Sequence, residues 1–470
     1  MRALVWFRQD LRIQDQPALS YACERASHVL GVYCLSPEEE GDWPMGSASQ
    51  WWLHFSLLSL QQNLSPLGIP LLFLKGKSAD LLPRFVKEAK IDLVCWNRCY
   101  EPAAIARDTA MKAILKQQGC NVQSFNGSLL FEPWEIVSQK HEPFRVFTPF
   151  WKSCLKQQAR IGSCLPVPSP KPHFPELVRA LSLSALDLLP KAHWDTGLRS
   201  HWKPGETGAQ ERVELSLTHT IPFYKDRRDR PDLAGVSELS PHLHFGEVSP
   251  RQLFQRAHPI SEDFTRQLFW REFAHHLLYH FPKTPKEPLR QEFQRFPWQE
   301  EPKHLRSWQE GRTGYPFVDA AMRQLWQLGW MHNRCRMVVA SFLVKDLRIH
   351  WLEGARWFWD TLVDADLANN TFGWQWTAGC GADAAPYFRI FHPTIQGEKF
   401  DITRQFVRFF VPELMHLPDQ WIYRPHEAPE KVLRASGVVL GETYPHPLVH
   451  HDEARKKALE AFSTVKMEVL

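Results

Sequence analysis

Short apolar runs alternate with helical patterns over the first 131 residues of the chain. We predict buried strands at residues 3–7, 28–35, 70–76 and 92–97, and a weaker strand near 122–130. Helical spacing at 49–64 and 103–119 separates them. Strands that alternate with helices form right-handed βαβ units, so this region is predicted to be a Rossmann-like α/β domain with a parallel sheet.

The alternation stops after residue 131. Residues 132–200 are rich in proline, as in SCLPVPSPKPHFPE, with one helical patch near 150–159, which predicts a long linker. Residues 201–470 have helical spacing throughout, with long helices at 263–281 and 330–347. Ser240-Pro241 and Ser249-Pro250 are typical helix starts. We therefore predict an α/β domain at 1–131, a linker at 132–200 and an all-helical domain at 201–470.

Composition narrows the class of protein. A chain of 470 residues, 44% of them hydrophobic and 23% charged, is globular and long enough for two domains. Its nine cysteines are scattered without a CxxC pair, which favours reduced thiols in the cytoplasm. No apolar run approaches the ~20 residues that a membrane helix needs. The net charge of +4 neither requires nor excludes nucleic acid, but twenty tryptophans are unusual, since indoles stack on flat ligands.

Two motifs suggest other chemistry and fail on spacing. Gly76-Lys77-Ser78 resembles the end of a phosphate-binding loop, but Leu71 stands where that loop needs its first glycine. His276 and His280 lie one helical turn apart, as zinc ligands do, but no third ligand is evident. We therefore expect no nucleotide loop and no metal site.

Two stretches of the helical half supply groups that suit a flavin. Residues 224–241 bring Tyr224 and a helix start at which Ser237 and Ser240 are placed to bind a diphosphate. Serines that only cap a helix explain this segment equally well. FTRQLFWRE places an amide, an aromatic ring and a guanidinium on one side of a helix: Gln267, Trp270 and Arg271.

Two further stretches extend the pattern. In WMHNRCRM, one face of the predicted helix carries Trp330, Asn333 and Met337, and two arginines are placed to pair with anions: Arg334 and Arg336. DADLANN supplies acceptors for ribose hydroxyls or ring N–H groups and an amide that both donates and accepts: Asp364, Asp366 and Asn370. An ordinary amphipathic helix explains any one stretch, but four in order favour a cofactor site.

Longer motifs carry a resemblance to a known family. They are WFRQDLR, PFRVFTPFW, SELSPHLHFGEVSPRQ, WREF, EGRTGYPFVDAAMRQL, GWMHNRCRM and GADAAPYFRIFHPTIQGEKFD. Together they resemble the photolyase/cryptochrome family, in particular its bacterial class I-like cyclobutane-pyrimidine-dimer photolyases. The resemblance implies an α/β antenna domain followed by an all-helical domain that binds FAD, in a bacterial cytoplasmic protein that acts as a monomer on DNA containing pyrimidine dimers.

The resemblance also implies roles for individual residues. The FAD contacts fall on Tyr224, Ser237, Leu239, Ser240, Arg271, Asn333, Arg336, Asp364, Asp366 and Asn370, with Asn370 beside flavin N5. The lesion pocket falls on Trp270, Asn333, Arg334, Met337 and Trp376. From their own chemistry, Gln267 and Trp330 join the cofactor set, and Gln267 also faces the lesion.

The same family uses light-driven electron transfer. Its reduced flavin donates an electron to a dimer that has been flipped out of the duplex, and the cyclobutane ring splits. A tryptophan chain that re-reduces oxidised flavin corresponds to Trp374, Trp351 and Trp298, from the flavin outwards. We expect Gly373 to let the chain bend between Trp374, which serves the flavin, and Trp376, which serves DNA.

Two departures from the family pattern keep alternatives open. Gln267 stands where dimer photolyases typically have glutamate, as in (6-4) photolyases and animal cryptochromes, whereas Asn333 and Met337 stand where (6-4) enzymes have histidines. Ala103 and Ala104 replace an Asn-Glu pair of folate-binding relatives. A methenyltetrahydrofolate antenna is therefore doubtful, and a deazaflavin or no antenna stays open. A signalling cryptochrome is the rival function.

Overall fold

The computed structural model describes residues 1–175 and 180–467. Within them the chain forms a parallel sheet of five strands: β1 (Arg2–Phe7), β2 (His28–Leu35), β3 (Leu71–Lys75), β4 (Leu93–Asn97) and β5 (Asn121–Phe125). Their order is β3-β2-β1-β4-β5, and every neighbouring pair is parallel. The predicted parallel α/β fold is confirmed, because the buried apolar runs fall on these strands.

Four helices cover the two faces of the sheet: α1 (Pro17–Arg25), α2 (Ser47–Leu64), α3 (Ser78–Glu88) and α4 (Pro102–Gln117). Helices α1 and α2 pack on one face and α3 and α4 on the other. The sequence indicated α2 and α4 but not α1 or α3. At the start of α3 the Glu39 carboxylate accepts the backbone N–H of Ser78 at 3.0 Å and its hydroxyl at 2.6 Å, so a carboxylate of the protein lies where a phosphate loop would bind its ligand.

The segment after the sheet contains α5 (Phe147–Lys156), which packs against the helical half through Phe150 and Cys154. Residues 176–179 of the predicted linker lie outside the described residues. The domain boundaries at 131 and 200 stay predictions.

The rest of the described chain is helical, as predicted. Its helices are α6 (Thr196–His201), α7 (Glu206–Leu215), α8 (Tyr224–Arg227), α9 (Ser240–His244), α10 (Pro250–Ala257), α11 (Glu262–His280), α12 (Pro302–Gln309), α13 (Pro316–Leu328), α14 (Asn333–Ser341), α15 (Trp351–Thr361), α16 (Leu367–Ala378), α17 (Pro393–Phe400), α18 (Gln405–Phe410), α19 (Glu430–Ala435) and α20 (His451–Met467).

Two predicted helix starts differ in outcome. Ser249 caps α10 through a capping box with Gln252, as its sequence indicates. Ser240, in contrast, is the first residue of α9 and follows Leu239 at the cap. The long helix predicted from residue 330 begins only at Asn333 and continues as a π-helix at Phe342–Asp346.

Buried polar contacts join the sheet to the helices. Glu247, fully buried, accepts hydrogen bonds from the Trp52 indole at 2.9 Å and from the Ser56 hydroxyl, both on α2. Arg12 donates to the Gly246 carbonyl at 2.9 Å. These contacts hold α2 and the segment after β1 against the connection between α9 and α10. Across the described ranges, no helix has both the length and the apolar character that a membrane crossing needs.

Candidate functional site

Helix α16 carries Asn370, Trp374 and Trp376 and packs against α11, α14 and α15. Asp366 caps its start by accepting the Asn369 backbone N–H at 2.8 Å. Gly373 lies inside this helix without a positive φ, so the expected bend is wrong: LANNTFGWQWTA is one continuous helix. The neighbouring helices therefore pack against one continuous helix.

The two tryptophans of α16 point in opposite directions, because residues two apart on an α-helix are separated by about 200°. Trp374 is 2% exposed and its ring packs edge-on against Phe358 at 5.0 Å and Trp308 at 6.2 Å. Its indole N–H has no hydrogen-bond partner in the described structure. Trp376 is half-buried. The different environments of Trp374 and Trp376 thus follow from helix geometry.

Asn370 joins α16 to α15. Its amide donates to the Ala355 carbonyl at 3.0 Å. The side chain is half-buried and lies one turn before Trp374 on the same face of the helix. The amide is therefore held in one orientation next to the buried indole.

Asp366 lies between two buried histidines. Its Oδ2 is 3.4 Å from Nε2 of His275 and 3.8 Å from Nδ1 of His244. Burial would raise the pKa of Asp366, but the two histidines hold it well below its usual range. Burial likewise opposes the charged form of His275, and Asp366 overcomes it and raises that pKa. The cap of α16 is therefore an ionised carboxylate.

Asp364 pairs with Arg336 of α14. The guanidinium donates to both carboxylate oxygens, at 2.8 and 3.1 Å, and also to the Met331 carbonyl at 2.8 Å. Trp330 lies before α14, not on its face as expected, and its indole N–H is 3.3 Å from the Ser240 hydroxyl. These contacts link the start of α9 to the start of α14.

The remaining predicted cofactor residues are more spread out. The Tyr224 ring packs edge-on against Phe264 at 5.4 Å, and burial raises the pKa of its hydroxyl to about 12. Leu239 is buried, and the Ser237 carbonyl accepts a hydrogen bond from Ser216 at 3.4 Å.

The three residues of α11 that were predicted to contact the cofactor or the lesion make contacts within the protein. The Gln267 amide donates to the Asp263 carbonyl of its own helix at 3.1 Å, and Arg271 donates to the Ser128 carbonyl at 2.7 Å. One face of the half-buried Trp270 indole is covered by Phe147, with ring centroids 3.5 Å apart. Phe372 of α16 also packs against this indole, with ring centroids 5.7 Å apart and the ring planes tilted by 31°.

The start of α14 presents the residues predicted to meet a lesion. Asn333 is exposed, and its amide lies 3.9 Å from the sulfur of half-buried Met337. Arg334 pairs with Asp229 at 2.7 Å, and its guanidinium lies 4.3 Å from the Phe400 ring centroid. An amide, a thioether and a guanidinium are thus side by side at an accessible helix end.

The outer tryptophans meet around a histidine. Trp351 is 1% exposed and starts α15, whereas Trp298 is half-buried. In the described part of the chain, no ring contact joins these two indoles directly or joins Trp351 to Trp374. His350 contacts both outer indoles, at 5.0 Å from Trp298 and 5.6 Å from Trp351.

A cavity of about 260 Å³ lies between the carboxyl end of the sheet and the helices. Its lining includes the predicted Ala103 and Ala104. It also holds two buried polar atoms without a hydrogen-bond partner among the described residues: Glu101 Oε2 and Trp43 Nε1. Burial raises the pKa of Glu40, another lining residue, to about 7. A heteroaromatic ligand that both donates and accepts hydrogen bonds suits this lining.

Sequence reasoning missed several of these residues. His275, Trp308 and His350 belong to none of the quoted motifs, and His244 lies in one without a role having been predicted for it; only the folded chain brings these residues to Asp366 or to the tryptophans. Glu101 immediately precedes the Pro-Ala-Ala run, but nothing in the sequence shows that its carboxylate is buried.

Comparison with known proteins agrees with this arrangement. A family model described as DNA photolyase matches residues 3–173, and one described as the FAD-binding domain of DNA photolyase matches residues 264–464. The deoxyribodipyrimidine photo-lyase of Agrobacterium fabrum is 43% identical over 98% of this chain and 98% of that protein. Cryptochrome-1 of Arabidopsis thaliana is 37% identical over 98% of this chain and 70% of that protein.

Solved structures give the same result. A bacterial class III photolyase from Agrobacterium tumefaciens superposes with a TM-score of 0.93 at 42% identity, covering 99% of this chain and 98% of that one. An archaeal photolyase from Sulfolobus tokodaii with two FAD molecules gives a TM-score of 0.85 at 29% identity, covering 99% of this chain and 100% of that one. The chain therefore belongs to the DNA photolyase and cryptochrome family and contains its FAD-binding domain.

Proposed function

We propose that this protein uses light to split cyclobutane pyrimidine dimers in DNA. The observation that carries the proposal is the Asn333–Met337 pair at the accessible start of α14, beside Arg334 and next to α16. An amide and a thioether suit an uncharged pair of bases, and neither is the histidine that a (6-4) enzyme would place there. Its motifs resemble those of class I enzymes, and the structure of a bacterial class III photolyase matches 99% of the chain.

The donor set of the helical half fits FAD. Hydroxyls and backbone groups around Ser237 and Ser240 suit the diphosphate, and the Arg336–Asp364 pair and the Asn370 amide suit the ring system. The unpartnered indole N–H of Trp374 is a further buried donor on α16. When bound, FAD supplies light absorption and the electron that opens the cyclobutane ring.

The protein's own residues orient and protect the site. Asp366 holds the start of α16 as an ionised cap between His275 and His244, and Asn370 is fixed by Ala355. Because these groups are preorganised by the fold, they need little rearrangement during the reaction. Trp374, Trp351 and Trp298 place oxidisable indoles from the core to the surface, which suits the relay.

On the DNA side, the half-buried Trp376 and Trp270 are proposed to contact a flipped-out lesion, together with Asn333, Arg334 and Met337. Gln267 lacks the charge of the usual glutamate, and its amide is satisfied within α11. We propose that it contributes neutral hydrogen bonds. Phosphate contacts by arginines and lysines would weaken with salt.

We assign the cavity between sheet and helices to a second, light-harvesting chromophore. The Glu101 carboxylate oxygen can accept a hydrogen bond and the Trp43 indole N–H can donate one. A ligand that satisfies both needs an N–H donor and an acceptor. Deazaflavin, methenyltetrahydrofolate and a second flavin all have such groups, but Ala103 and Ala104 lack the polar side chains of the Asn-Glu pair in folate-binding relatives and therefore disfavour the folate. Residues 1–131 would form the antenna domain and residues 201–470 the catalytic domain of a cytoplasmic monomer.

A signalling cryptochrome is the second candidate. The 37% identity to Cryptochrome-1 of Arabidopsis thaliana favours it, although this chain spans 70% of that relative. A chain that signals without repair would bind FAD at the same residues and leave dimers intact in light.

Light-dependent repair of dimer-containing DNA tests the proposal. Reduced protein is expected to restore thymines under blue light and not in darkness. Replacing both Asn333 and Met337 with histidine should lower repair, whereas Arg356→Gln, whose side chain is 67% exposed on α15, should not. Absence of repair by the unaltered protein would refute the proposal and favour signalling.

A further inference from the structure

His350 occupies the space between the two outer tryptophans. Its ring centroid lies 5.0 Å from that of Trp298, at 66°, and 5.6 Å from that of Trp351, at 29°. Within residues 1–175 and 180–467, neither indole has a ring contact with the other. Among the described residues, the imidazole of His350 is the ring that contacts both indoles.

The backbone fixes this arrangement. The Gln299 N–H donates to the Arg348 carbonyl at 2.8 Å, and Gln299 pairs with Ile349 in a parallel bridge. The segment that carries Trp298 is thereby tied to the residues just before His350. On the other side, His350 caps α15 by accepting the Leu352 N–H on Nδ1 at 3.1 Å. The imidazole is held from both directions.

This cap also determines the state of the ring. Since Nδ1 accepts a hydrogen bond, the proton of the neutral imidazole is on Nε2. Burial, with a smaller effect of Arg356 on the same helix, lowers the pKa of His350 to about 4. On the facing segment, Phe296, Trp298 and Gln299 are not ionisable. A neutral ring adds no charge that would oppose an oxidised indole beside it.

We propose that His350 is the bridging ring of the electron relay, through which Trp298 passes an electron to Trp351. The inference rests on the proposed relay of Trp374, Trp351 and Trp298. In that relay Trp374 loses one electron to light-excited oxidised flavin and recovers it from Trp351. Trp298 then gives one electron to oxidised Trp351, so that Trp298 is oxidised and Trp351 restored.

His350 is neither oxidised nor protonated in this step. Its Nδ1 is occupied by Leu352, so the indole proton of oxidised Trp298 leaves to water, which reaches this half-buried side chain. The role is therefore one of positioning and electronic contact. It separates cleanly from the capping role, because the ring and the cap can be removed one at a time.

Two substitutions at position 350 separate the effect of the ring from the effect of the helix cap. His350→Asn keeps a side-chain acceptor for the start of α15 and removes the ring. His350→Phe keeps a neutral ring and removes the cap. Trp298→Phe is the reference, because in that variant the oxidised state stops at Trp351. All four proteins are prepared with oxidised FAD, and transient absorption measures the lifetime of the tryptophan radical after a light pulse.

The two His350 variants are expected to differ in opposite ways in radical lifetime and in stability. His350→Asn should shorten the radical lifetime to that of Trp298→Phe, whereas His350→Phe should keep the long lifetime of the unaltered protein. Unfolding temperatures should move the other way, with His350→Phe the less stable variant. A long lifetime in His350→Asn, or a short one in His350→Phe, would overturn the inference.

A different experimental result would refute the proposed relay itself. If Trp374→Phe leaves the radical yield unchanged, both the proposed relay and the bridging role of His350 are refuted. If Trp374→Phe abolishes the tryptophan radical but His350→Asn keeps the radical lifetime of the unaltered protein, the relay is supported and only the bridging role of His350 is refuted.

Discussion

Gly354 of α15 packs directly against the buried indole of Trp374, and alanine at this position tests that contact. A Cβ at residue 354 would lie 2.0, 2.4 and 2.6 Å from three ring carbons of Trp374. Alanine is favoured over glycine in a helix interior by about 1 kcal/mol, but overpacking a core costs about 1–3 kcal/mol. Because the indole is also held by Phe358 and Trp308, we expect the overpacking cost to outweigh the helix gain, so that Gly354→Ala lowers the free energy of unfolding by up to about 2 kcal/mol.

Gly373 is the matched control. It too lies inside a helix, but a Cβ there would have no atom within 4 Å. Gly373→Ala should therefore stabilise the protein by about 0.5–1 kcal/mol. Urea unfolding followed by circular dichroism gives both values, and photoreduction of the flavin should slow only in Gly354→Ala. Equal stabilisation by both substitutions would show that Trp374 does not pack on α15 as described.

Three further predictions address the cofactor site and its support. Trp374→Phe should slow photoreduction of oxidised flavin, measured by absorbance under blue light; an unchanged rate would remove its relay role. Asp364→Asn leaves Arg336 without its carboxylate and should weaken FAD binding by about 1–3 kcal/mol, measured by equilibrium dialysis; unchanged affinity would separate this pair from the cofactor. Burial raises the pKa of Glu272 from 4.5 to about 7. The folded state therefore holds more protons between these values, and stability should fall by up to about 3 kcal/mol as the pH rises through them. Glu272→Gln should remove this fall in urea unfolding at pH 5 and 7.5; a fall of equal size in the variant would assign it to other groups.

Much of the fold could be predicted because strand and helix periods are local. The run at 28–35 appears unchanged as β2, since its residues are buried on both faces of the sheet. Helix α3 escaped prediction because Pro83 lies in its interior, and α1 because its pattern spans only nine residues. In both cases packing on the sheet outweighs a weak local signal.

The site was predictable as a set of residues but not as a set of contacts. Asp366 and Asn370 come from one short motif, whereas His244, which lies next to Asp366, comes from a distant part of the chain. Gly373 suggested a bend from its residue type alone, but its neighbours continue the helix. His350 is adjacent to Trp351 in sequence, yet only the pairing of residue 299 with residue 349 brings Trp298 to it.

The central claim is repair of one kind of lesion. The most direct measurement compares two oligonucleotides, one with a single thymine cyclobutane dimer and one with a single (6-4) photoproduct, each incubated with reduced protein under blue light and in darkness. The account predicts restored thymines only from the dimer and only in light. Light-dependent restoration of the (6-4) product, or no restoration of the dimer, would contradict it.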